Sequence, residues 1–165
     1  MSCVKERFNM NDELEQKKYM IFKLADELYG SHLVSIKEII KIKEIKPVPF
    51  MVHYFKGILN LRGQIISVID LRLKLELPCL YPDQGLLIVV ETDDGMIGAV
   101  VDDVVSVFDF EEGSIEKNLH LKTKIDPAFF IGVGKFQDRL VHIVDISKTL
   151  TSDDLSIIKK TKEIR

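Results

Sequence analysis

Chemistry is sought first at the four histidines (His32, His53, His120 and His142) and the two cysteines (Cys3 and Cys79). None of them stands at His-x-x-x-His or Cys-x-x-Cys spacing, which would place two ligands on one face of a helix or turn, so no metal site is expected. His142 lies in a strand-like stretch and reads as a surface or barrel-lining residue. Cys79, in Leu77-Pro78-Cys79-Leu80, has no histidine near it in sequence to take its proton, and reads as a buried or idle thiol. Gly132-Val133-Gly134-Lys135 has some of the composition of a phosphate loop, but neither the Walker spacing nor a Ser or Thr after the lysine. Asp93-Asp94 and Asp102-Asp103 read as solvated acids at a turn and a strand end. No Gly-x-Ser-x-Gly is present. These residues assemble no catalytic set, and no cofactor is expected.

One polar side chain stands apart. Arg62, in Asn60-Leu61-Arg62-Gly63, sits at a tight turn between apolar segments. Its planar fork of N–H donors suits a carboxylate or the backbone carbonyls of a partner, and equally suits a carboxylate of its own domain.

The elements that would position these residues are short. The chain has 165 residues, 46% of them hydrophobic and 30% charged, enough to bury a core. With 23 Lys+Arg against 26 Asp+Glu, its net charge of −3 argues against a protein whose main task is neutralising nucleic-acid phosphates. Two cysteines make no disulfide framework. The N-terminus carries no apolar signal segment, and the longest apolar run, Leu86 to Val90, is too short to cross a bilayer. A cytoplasmic protein with no membrane insertion is expected.

Met20, Phe22 and Leu24 share one side of an alternating segment, with Tyr19, Ile21 and Lys23 on the other, which is strand periodicity. Residues 65–71, 86–90, 96–101 and 140–146 are similarly rich in Val and Ile and bounded by turn residues. Asp93-Asp94-Gly95 is a hairpin signal. Between Ile36 and Ile42 the pattern fits a helix and a strand equally, and Pro47 and Pro49 end it. Residues 1–17 read as a flexible arm. Residues 151–165 read as a helix, with acids in the first turn and lysines near the end.

An internal repeat organises the rest. Phe55–Leu75 slid forward by 75 positions falls on Phe130–Leu150, with Gly57 on Gly132 and Asp70 on Asp145. A weaker echo at 68 positions pairs Ile21 and Phe22 with Val89 and Val90, and Gly30 with Gly98. The chain reads as two small β units, about 19–80 and 81–150, sharing an apolar seam with a cleft between them.

The block from Phe55 to Arg72, with its Lys56-Gly57-x-x-Asn60-Leu61-Arg62-Gly63 turn, apolar strand and Asp70-Leu71, resembles the CheW family of chemotaxis coupling proteins. Tyr19 to Gly30, Ile36 to Ile39, Met96 to Val107 and Phe130 to Leu150 resemble further parts of the family pattern, which covers about 18–150. The resemblance implies a mainly β protein of two tandem five-stranded SH3-like barrels packed together. It implies a non-catalytic adaptor that joins the histidine autokinase CheA, through that kinase's regulatory domain, to the cytoplasmic tips of methyl-accepting chemoreceptors. Such an adaptor is recruited to membrane-associated receptor arrays.

Carried over by motif, the kinase-facing set is Met20, Leu33, Ile36, Glu38 and Ile39, and the receptor-facing set is Gly57, Arg62, Gly63, Val100 and Val104. The chain departs from the pattern in its N-terminal arm, its lysine-rich stretch from Lys37 to Lys46 and its basic C-terminal end. The competing reading is a freestanding small-ligand sensor using the cleft between the barrels as its pocket.

Overall fold

A computed structural model describes residues 17–49, 51–79, 84–93, 95–117 and 129–149, and their regular secondary structure is almost all strand. In chain order the first strands are β1 (Lys18–Leu24), β2 (Glu27–His32), β3 (Ile36–Lys41), β4 (Phe55–Leu61) and β5 (Gln64–Asp70). A one-turn helix α1 (Leu71–Lys74) follows. The second run is β6 (Leu86–Thr92), β7 (Gly95–Val101), β8 (Asp103–Asp109), β9 (Phe130–Phe136) and β10 (Arg139–Val144), closed by a 3-10 turn at Ile146–Thr149. The expected arm lies outside the described residues except for Lys17, as does the expected helix at 151–165.

Three hairpins turn on two residues that both take positive φ: Ala25-Asp26, Arg62-Gly63 and Gln137-Asp138. That geometry matches the right-handed twist of the flanking strands. The stretch that fitted helix and strand equally is β3. Its inward positions, Ile36, Glu38 and Ile40, alternate with exposed Lys37, Ile39 and Lys41.

The strands form two five-stranded sheets, ordered β8-β1-β2-β10-β9 and β3-β6-β7-β5-β4. Each closes on itself through a backbone bridge between opposite edges. Lys46, beyond β3, exchanges hydrogen bonds of 2.9 Å with Ile58 of β4. Glu116, beyond β8, does the same with Val133 of β9, at 2.9 and 3.0 Å. These are repeat-equivalent closures of two small barrels.

The expected split near residue 80 separates the sequence repeats but not the barrels. One barrel takes the β1–β2 hairpin from the first repeat and β8 to β10 from the second; the other takes β3 to β5 and the β6–β7 hairpin. Connector length is the reason at one of the two crossings. Only Leu33–Ser35 separates β2 from β3, and only Asp102 separates β7 from β8. The one-residue link at Asp102 is too short for a hairpin, so β7 and β8 cannot pair and the chain passes to the other sheet there. The two units are therefore exchanged rather than placed end to end.

Burial follows from this arrangement. Tyr19, Ile21, Leu28, Phe110, Phe136, Val141 and Ile143 fill one barrel. Leu59, Leu61, Ile66, Val68, Leu87, Val89 and Val100 fill the other. A third cluster draws on both barrels and forms the seam: Met20, Phe22, Leu24 and Tyr29 from one, with Ile69, Leu71, Ile88, Val90 and Ile97 from the other. Strands β1 and β6 thus bury both faces, one inside a barrel and one in the seam, with each fully buried large apolar side chain worth about 1.5–3 kcal/mol.

Candidate interaction surface

The β4–β5 turn is built to present one side chain. Asn60 Oδ1 accepts the Gly63 N–H at 2.9 Å, and Gly63 takes φ 84° where a side chain would be strained. Arg62, itself at φ 52°, projects outward with its side chain 78% exposed. Its Nη1 donates to Glu38 Oε2 at 2.9 Å. Glu38 faces inward on β3 and is 24% exposed, with Oε1 buried and without a hydrogen-bond partner. Barrel closure makes this meeting possible, because β3 and β4 are opposite edges of one sheet.

Arginine and carboxylate thus form one exposed ion pair, with one acceptor oxygen left over. The guanidinium can still donate through the rest of its fork. The pair joins the two residue sets expected to face different partners, since Glu38 came from one and Arg62 from the other. Ile39 lies outward on β3, 37% exposed, between Lys37 and Lys41. Lys37 pairs with Glu91 across the surface at 2.9 Å.

The remaining candidates are less available. Met20 is 4% exposed and packs in the seam, so it offers no surface as a docking residue. Leu33 and Ile36 are half-buried against the same cluster, and Ile36 points opposite to Ile39 because a strand alternates where a helix would have grouped them. Val100 is 1% exposed inside its barrel, so it lines no cleft wall. Val104 is half-buried on the seam. Gly57 is a packing residue: a Cβ there would lie 2.0 Å from the Lys46 carbonyl oxygen, at the bridge that closes the barrel. Gly132, its repeat partner, meets the Glu116 carbonyl in the same way, at 2.5 Å.

The sequence reading missed Val105 and Val107, exposed on β8 at the positions that Lys37 and Ile39 occupy 68 residues earlier. The repeat offset was the signal that could have found them. The seam where a ligand cleft was expected is filled by the shared cluster. A cavity of about 810 Å³ lies instead at the end of one barrel, lined among others by Tyr19, His32, Phe110, Glu116 and Ile131.

The model of the CheW-like domain matches residues 18–154 of this chain. The chain belongs to the CheW-like family. Among its CheW-like relatives, the chemotaxis protein CheW of Treponema pallidum is 27% identical over 151 residues, which cover 88% of each chain. Chemotaxis protein CheW of Bacillus subtilis is 28% identical over 138 residues, 83% of this chain and 88% of that one. The crystal structure of the scaffolding protein TtCheW from Thermoanaerobacter tengcongensis superposes with a TM-score of 0.75 at 33% identity, covering 84% of this chain and 95% of the other. The mainly β CheW fold of two five-stranded sheets is common to this chain and that scaffold. No helix among the described residues is long and apolar enough to cross a membrane.

Proposed function

We propose that this CheW-like protein is a chemotaxis adaptor that grips the regulatory domain of the kinase CheA with one surface and the cytoplasmic tip of a chemoreceptor with another. The observation that carries this reading is the Glu38–Arg62 pair, held at 2.9 Å on an exposed turn that bears the family's Asn-Leu-Arg-Gly signature. An arginine that is 78% exposed adds little to the stability of its own domain, and its fixed presentation suits recognition of a carboxylate or carbonyl on another chain.

The kinase contact is centred on outward Ile39, with Lys37, Lys41 and the half-buried Leu33 and Ile36 around and beneath it. An apolar residue ringed by charge has the anatomy of a small specific interface. The receptor contact is centred on Arg62. Because Glu38 holds Arg62, a partner that draws the guanidinium away also alters the charge beside Ile39. That link gives the two bindings a route to couple energetically. The protein makes and breaks no bonds in this role, and its place is at receptor arrays on the cytoplasmic side.

The test is capture of both partners at once. Immobilised CheA regulatory domain should retain soluble receptor cytoplasmic fragment only when this protein is added. Retention of neither, with folded protein, would overturn the proposal.

A further inference from the structure

The seam between the barrels is not symmetric, although the repeat that builds it is. Arg72, fully buried in α1, donates from Nε and Nη2 to Asp70 at 2.9 and 2.8 Å, and from Nη1 to Asp102 at 2.7 Å. Asp102 is the single residue between β7 and β8, where the chain passes from one barrel to the other. Its second carboxylate oxygen accepts the Ala25 N–H at 2.7 Å, in the β1–β2 turn, and its own N–H donates to the Lys23 carbonyl at 3.0 Å. A continuous path of charge-assisted bonds thus runs from β5 of one barrel through Arg72 and Asp102 to a hairpin of the other. It also holds Ala25 at φ 51°, a conformation alanine disfavours.

The repeat supplies an internal comparison. Ser147 stands where Arg72 would, 75 positions on, and Val34 stands where Asp102 would, 68 positions back. Asp145 keeps the local turn, accepting the Ser147 N–H at 3.0 Å and its hydroxyl at 2.6 Å, just as Asp70 accepts the Arg72 N–H at 3.0 Å. Among the described residues the cross-barrel part has no counterpart: serine is too short and uncharged, and Val34 is 46% exposed and offers no carboxylate.

We infer that Arg72 and Asp102 form a one-sided clasp that fixes the angle between the barrels, so that relative motion pivots about this side and yields at the Ser147 side. The inference goes beyond the adaptor reading and needs no partner for its test. Apolar packing along the seam is present on both sides and tolerates small sliding. A buried guanidinium with fixed donors does not, because each displaced bond leaves a desolvated charge unpaired.

Arg72 is a poor probe, since its loss strands buried Asp70, so the test removes Asp102, which is partly exposed. Spin labels are placed at Lys41→Cys in one barrel and Leu140→Cys in the other, in a Cys3→Ser/Cys79→Ser background. Their distance distribution is measured by pulsed electron resonance in the full chain. Asp102→Ala should broaden the distribution at least twofold. Lys148→Ala, which removes only the 3.9 Å contact to Asp145 on the opposite side, should leave it unchanged. An unchanged width in Asp102→Ala, or equal broadening in both variants, would overturn the clasp.

Discussion

At the scale of single residues, exposure separates what holds the fold from what is free to bind. Arg62 has 78% of its side chain in solvent, and an exposed ion pair of this kind contributes about 0–1 kcal/mol to stability. Arg62→Ala should therefore lower the unfolding free energy measured in urea by less than about 1 kcal/mol. Receptor-dependent kinase activation should fall about tenfold, the equivalent of ~1.4 kcal/mol of binding free energy. Ile39→Asp makes the matching test on the kinase side. Its side chain points outward, so the fold should be retained while affinity for the CheA regulatory domain drops about tenfold or more, because a carboxylate must be desolvated in an apolar contact. Titration calorimetry checks it. Ile36→Asp would be a worse probe, since Ile36 packs on the seam and its loss mixes unfolding with binding. The Asn-Leu-Arg-Gly turn was legible in the sequence because turn chemistry is local. The Glu38 partner was not, because Glu38 is brought there only by closure of the sheet.

Elements are held by contacts that leave little latitude at particular glycines. At Gly57, backbone φ is 139° and the Lys46 carbonyl oxygen occupies the place of a Cβ. Gly57→Ala should cost about 2–4 kcal/mol in denaturant unfolding, through backbone strain and loss of the bridge that closes the barrel. A cost below 1 kcal/mol would mean the bridge is dispensable. The strands with plain alternation, β1 foremost, were readable because Met20, Phe22 and Leu24 pack in the seam while Tyr19 and Ile21 fill a barrel. Strand β3 was not, since Ile36, Ile39 and Ile40 satisfy both periods, and a register shift between Ile36 and Glu38 blurs the alternation further. Its neighbour β6 decides the matter through pairing distant in sequence. Two residues assigned to docking, Met20 and Val100, are buried for the same reason: central strands of a two-barrel fold have no solvent face.

For the whole molecule, β3 to β7 make one barrel from the uninterrupted run Ile36–Val101, the other barrel is assembled from the segments on either side of it, and the shared seam makes the two one folding unit. The duplication was visible from matched residues 75 and 68 positions apart, but matching cannot reveal which copy pairs with which. The one-residue connector at Asp102, too short for a hairpin, does so for β7 and β8. Burial of Tyr19 in one barrel and of Tyr29 in the seam pushes both phenols above their ordinary value of 10.0, since the phenolate is poorly solvated there. The unfolded chain then releases these protons at lower pH than the folded one does. Their contribution to stability is intact below pH 10 and is lost as pH rises toward the folded values. Guanidinium titrations stepped from pH 8 to 11 should show stability falling above about 10, with a shallower fall in Tyr29→Phe.

On the proposed function, two partners are held at once and holding them changes kinase output. The most direct measurement is the autophosphorylation rate of CheA with receptor-bearing membranes, with and without this protein. A rise of at least about tenfold is expected only when all three are present, altered by ligand binding to the receptor and reduced by Arg62→Ala. An autophosphorylation rate identical with and without the folded protein would contradict it.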